Sequence, residues 1–186
     1  MKKLFNITLL LLAAVFILSC RNGDDDIPED IHEHDEIGKV VLKLTNKADA
    51  ADVQEISVIG GQASGHLHLH QGDTYLAELD FQIKHDDHYH SSEEIEEEKD
   101  HHFITFSPAD VDIKVIRSAN DIVRTDGQRM GMKTEWTVTS VSSTGKMNIK
   151  LIHSPTSVNQ NYPSASNQLG QTVGGESDVD ITVDTH

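Results

Sequence analysis

From residue 37 onward apolar and polar residues change places with a period of two, and this alternation limits most tightly what the chain can fold into. Successive side chains of a strand point to opposite faces, so strict alternation describes a strand with one face in a core and one in water. Val40, Leu42 and Leu44 alternate with Val41, Lys43 and Thr45. Tyr75, Ala77, Leu79, Phe81 and Ile83 alternate with Leu76, Glu78, Asp80, Gln82 and Lys84. Residues 111–116, 147–152 and 179–184 repeat the pattern, and shorter apolar runs lie at 56–58, 103–106 and 136–138. Eight or nine such stretches are separated by turn signals at Gly60-Gly61, Gln71-Gly72, Asp126-Gly127 and Thr144-Gly145. They predict an all-β, antiparallel β-sandwich. One exception is Ser91-Ser92 followed by Glu93, Glu94, Ile95, Glu96, Glu97 and Glu98, which predicts a short acidic helix capped by serine. Residues 154–176, rich in Ser, Asn, Gln and Gly, predict a long loop.

The N-terminal end follows other rules. Lys2 and Lys3 precede an apolar run from Leu4 to Leu18, broken only by Asn6 and Thr8. That suits a signal-peptide core and is short for a spanning helix, which needs about 20 apolar residues. The run closes on Ile17-Leu18-Ser19-Cys20, which resembles the lipobox of bacterial lipoproteins. The resemblance implies cleavage after residue 19, lipidation of Cys20 with acyl chains such as palmitate, and anchoring in a membrane. Arg21 rather than Asp after the cysteine favours the outer membrane by analogy with lipoprotein sorting, and Gly23-Asp24-Asp25-Asp26 resembles a surface-export signal. The expected organisation is a signal peptide over 1–19, an acidic flexible tether over 20–36 that contains Pro28, and a β-sandwich domain over 37–186.

Cys20 is the one cysteine, so disulfides and thiolate metal sites are excluded from the folded part. The formal charge is −16 and becomes −18 when Lys2 and Lys3 leave with the signal peptide. Such a charge argues against nucleic acid and favours cationic partners, among them metal ions.

Twelve histidines are several times the usual share, and most are clustered. His66, His68 and His70 alternate with Leu67 and Leu69, so on a strand they share one face at about 6.6–7 Å per step. Two imidazoles at that spacing can tilt toward one zinc ion with Zn–N bonds of about 2.0–2.1 Å. Three in strict register argue against a polar face that uses histidine by chance. His85-Asp86-Asp87-His88-Tyr89-His90 leads through the acidic helix to His101-His102. Imidazole and carboxylate together suit zinc, and also copper or nickel. If the 66–70 strand formed a hairpin with 75–83 through the turn at Gln71-Gly72-Asp73, His66 and His68 would approach the 85–90 segment and could share a composite site. His32 and His34, in the tether, would collect ions weakly. His153 and His186 stand apart from the clusters. Asp178, Asp180 and Asp184 lack the turn of a calcium loop and read as a solvated strand face. Met130-Gly131-Met132 could suit copper but reads as loop.

Three stretches resemble a group of small, mostly uncharacterised Bacteroidota outer-membrane lipoproteins: residues 35–45, residues 94–103, and His153-Ser154-Pro155 with residues 174–180. The resemblance implies an immunoglobulin-like sandwich and no assigned activity. It treats the 94–106 region and His153 as framework, which leaves the histidines at 66, 68, 70, 85, 88 and 90 for a function special to this chain.

The expectation is a lipid-anchored zinc-binding protein, not an enzyme, that captures the ion or hands it to an outer-membrane transporter. Its ligands would come from His66, His68, His70, His85, Asp86, Asp87, His88, His90, His101 and His102. Three ligands and an open position would suffice for metal-assisted hydrolysis, but the exposed setting of the clusters favours binding. The alternatives are a structural module that docks on a membrane or surface complex, and a pH sensor built on histidines beside carboxylates.

Overall fold

The computed structural model describes residues 36–186. The expected signal peptide, the lipidation position and His32 and His34 lie outside these residues. Strands hold 59% of the described residues and helix 3%, which makes the domain all-β. The strands pair almost wholly antiparallel.

The alternating stretches become β1 (Ile37–Asn46), β2 (Val53–Ile59), the short β3 (Gln62–Ala63), β4 (Thr74–His85) and β5 (His88–Ser91). Helix α1 (Glu94–Glu97) follows, then β6 (His102–Ala109), β7 (Asp112–Arg117), β8 (Lys133–Ser140) and β9 (Gly145–His153). The last part holds β10 (Ser157–Asn159), β11 (Pro163–Ser164), β12 (Asn167–Gln168), β13 (Gln171–Val173) and β14 (Glu176–Thr185). One sheet has the order β3-β2-β1-β4-β8-β7, with β5 beside the far half of β4. The other has the order β14-β9-β6. A single apolar core takes Leu42, Leu44, Tyr75, Phe81, Val115 and Trp136 from the first sheet and Ile104, Phe106, Met147, Ile149, Leu151 and Val183 from the second.

Three expectations change. Residues 154–176 are not one loop but two short ribbons, β10–β13 and β11–β12. Their strands show no apolar alternation because most of their residues face solvent. Asn167 and Gln168 turn their side-chain amides on β7, where they accept from the backbone N–H groups of Val115 and Arg117. Helix α1 is a single turn capped at Glu93 without a side-chain bond, so neither serine caps it. Residues 66–70 form no hairpin with β4. Both edges of β4 are taken, one by β1 and the other by β8 and then β5. After the turn at Gln71-Gly72-Asp73, Gly72 and Asp73 instead bond to Val138 of β8.

Segment 66–70 crosses to the other sheet. Leu67 meets Thr185 in a parallel bridge, and backbone bonds link Leu67 to Asp184 and His186, and Leu69 to His186. On its other side, Gln54 of β2 donates its amide to the His68 carbonyl and accepts from the His68 N–H. The Tyr75 hydroxyl accepts from the His70 N–H, and burial pushes this phenol above its ordinary pKa.

Candidate metal centres

Two groups of three metal-capable side chains form among the described residues, each with its ligand atoms within 4.8 Å of one another.

The first is His66, His68 and His186, all exposed. The alternation holds here: Leu67 and Leu69 are buried, and the intervening histidines face outward. The Nε2 atoms of His66 and His68 are 3.2 Å apart. His186, immediately after β14, brings its ring to 4.0 Å from that of His66 and 5.0 Å from that of His68, centroid to centroid. Asp184 adds negative potential, since His66 and His186 both act on its carboxylate. Lys146, 2.5 Å away, is the main cause that holds that carboxylate below its ordinary range. The Nε2 separation is that of a hydrogen bond between the rings, and it lies close to the edge of a tetrahedron with 2.0–2.1 Å bonds, about 3.3–3.4 Å.

The second group is His102, His153 and Asp178. His102 opens β6 and sits directly opposite His153 of β9. Their rings stack with centroids 5.1 Å apart. Asp178 belongs to β14 where its register against β9 slips between Ser177 and Val179. Such a bulge re-aims a side chain. Here the Asp178 carboxylate comes to 3.5 Å from His102 Nε2 and 3.9 Å from His153 Nδ1. His102 is 3% exposed. Its Nδ1 lies 3.1 Å from the Glu98 carbonyl. A carbonyl only accepts, so Nδ1 is the donor in this contact, and the Nε2 edge of the ring faces Asp178.

The other expected ligands do not join these groups. His70 shares the outward face of His66 and His68 without entering the triad. His85, His88 and His90 crown the β4–β5 hairpin as a triangle with ring centroids 5.9–6.3 Å apart. There His85 pairs with Asp86 at 3.4 Å and His88 with Asp87 at 3.5 Å. A cavity of about 360 Å³ beside this hairpin is lined by Ile83, His90, Ser91, Ser92, Glu93 and Glu94. His101 lies 6.3 Å from the His153 ring and offers its carbonyl to the Ser154 N–H. No histidine of 85–90 reaches His66 or His68 to make a composite group.

His186, His153 and Asp178 are the residues that sequence reasoning set aside. Only the register of β14 brings them into place, and no local spacing signals it. Asp180 and Asp184 do lie on a solvated face, bonded to Lys150 and Lys146. Met130 is wholly buried in the core rather than in a metal-facing loop.

Comparison with family models, with curated proteins and with solved structures gives no match. Among the described residues no helix is long and apolar enough to cross a membrane.

Proposed function

We propose that this is a lipid-anchored transition-metal-binding protein, with zinc as its cargo, that captures or hands over the ion at the outer membrane. One observation carries the reading: two imidazole nitrogens stand 3.2 Å apart on an exposed edge with a third imidazole beside them. Three imidazole nitrogen donors suit zinc, copper and nickel, and do not suit calcium or magnesium, which take oxygen. Full exposure favours rapid exchange, as a capture or hand-over site requires. The lipobox-like Cys20 supports the anchor, and the two sheets around one core support an immunoglobulin-like sandwich as the finer fold.

The test is equilibrium dialysis of the full-length protein in detergent against micromolar zinc. A His66→Ala/His68→Ala/His186→Ala variant runs beside it. The reading expects the variant to hold about one zinc fewer per chain. Equal uptake by the two proteins contradicts it, and absence of uptake in both favours an interaction module.

A further inference from the structure

We propose that His102, His153 and Asp178 form a second divalent-metal site, a resident one for zinc, that joins three neighbouring strands through one ion. It goes beyond the surface triad and does not depend on it. Along β14 from Asp178 to His186, eight residues at about 3.3–3.4 Å each put the two sites about 27 Å apart.

The donor distances suit a bound ion as well as they suit an ion pair. At 3.5 and 3.9 Å, the Asp178 oxygens are too far from the imidazole nitrogens for good hydrogen bonds, which run about 2.7–3.2 Å. Ligands at 2.0–2.2 Å from a tetrahedral zinc stand about 3.3–3.6 Å from each other, a range that the 3.5 Å separation meets and the 3.9 Å one exceeds by a few tenths of an ångström. The supporting groups are those a metal site needs. A histidine ligand ordinarily donates its second ring N–H to a carbonyl or carboxylate, which fixes its tautomer and orientation. The Glu98 carbonyl does this for His102. The carboxylate comes from the bulged part of β14, where the register against β9 shifts.

The chemistry differs from that of the triad. Two nitrogens and one carboxylate oxygen, with His102 buried and the other two side chains 21% and 31% exposed, leave one coordination position toward solvent. Burial and the neutralising carboxylate slow exchange, so this ion stays while the triad's ion turns over. With β6, β9 and β14 each giving a ligand, binding stabilises the folded domain by linkage.

The test starts from the full-length His66→Ala/His68→Ala/His186→Ala protein, so that the triad makes no contribution. Asp178→Asn and, separately, His153→Gln are added to it. Zinc affinity is read by competition with a chromogenic chelator, and stability by thermal melting with and without zinc. The parent is expected to gain about 5–10 °C in Tm at zinc one hundred times its dissociation constant. Each added substitution should weaken binding by more than the about 10–100-fold that loss of an outer-shell partner costs, and should remove the Tm gain. Circular dichroism without zinc confirms that each variant folds, and His153→Gln gives the result if Asp178→Asn does not fold. Equal affinity and equal Tm gain in parent and variants overturn the site. So does a parent that gains no stability from zinc. Neither outcome bears on the surface triad.

Discussion

At the residue scale, Arg117 is a buried charge that ties β7 to β6 and to the segment before β8. It lies inside the domain, donates to the Ile104 and Arg129 carbonyls, and stacks on Phe103 at 4.3 Å. Burial pulls its guanidinium down to about 10. Glycine at 131 and 170 is required around it, since a Cβ at either position would stand 2.4 Å from its nitrogens. Arg117→Ala orphans the buried Ile104 carbonyl, removes a donor from the part-buried Arg129 carbonyl and opens a cavity, and should cost about 2–4 kcal/mol by urea unfolding. The carboxylates give a second prediction. Lys150 and Asn148 hold Asp180 below its ordinary pKa, Lys146 does the same for Asp184, and Thr125 for Asp100. A carboxylate lowered on folding adds stability above its unfolded value, near 3.8, and loses it as pH falls through the folded value. Burial raises Asp121, which acts in the opposite sense. With three groups against one, the urea midpoint should fall as the pH drops below about 3.8, toward about pH 2, and less steeply in Asp180→Asn. A midpoint that rises over that range contradicts this balance.

At the scale of elements, β14 and segment 66–70 decide where the sites form. The strands themselves were readable, because each alternating stretch needs only its own residues to declare a core face. Leu67, Leu69, Tyr75, Ala77, Trp136 and Val138 are buried as the alternation requires. Strand partners were not readable. The turn at Gln71-Gly72-Asp73 invites a hairpin, yet β4 has no edge left for one. Partner choice is a property of the whole sheet, so the histidines at 66 and 68 were legible as a shared face, while His186 as their third member was not. The same holds for Asp178, which stays exposed as its place in β14 predicts and meets His102 and His153 only where the register slips. Gly145 tests how the end of β14 positions the triad. A Cβ there would stand 2.8 Å from the Thr185 carbonyl oxygen and 2.6 Å from its Oγ1. Gly145→Ala must therefore push Thr185 and His186 aside. It should cost about 1–3 kcal/mol and weaken zinc binding at the triad, whereas zinc binding at Asp178 stays unchanged. Equal triad affinity in this variant would show that β14 does not position His186.

At the scale of the whole molecule, charge and architecture point the same way. A formal charge of −16 raises the local concentration of cations. The two sheets share one core, and the candidate sites stand at opposite ends of β14, so an exchanging ion and a resident ion need not compete. The most direct measurement is anomalous diffraction at the zinc edge from crystals grown with zinc. The account predicts a peak about 2.0–2.1 Å from the Nε2 atoms of His66 and His68, with His186 as the third ligand. Crystals in which zinc peaks appear elsewhere, and none lies among these three imidazoles, would contradict it.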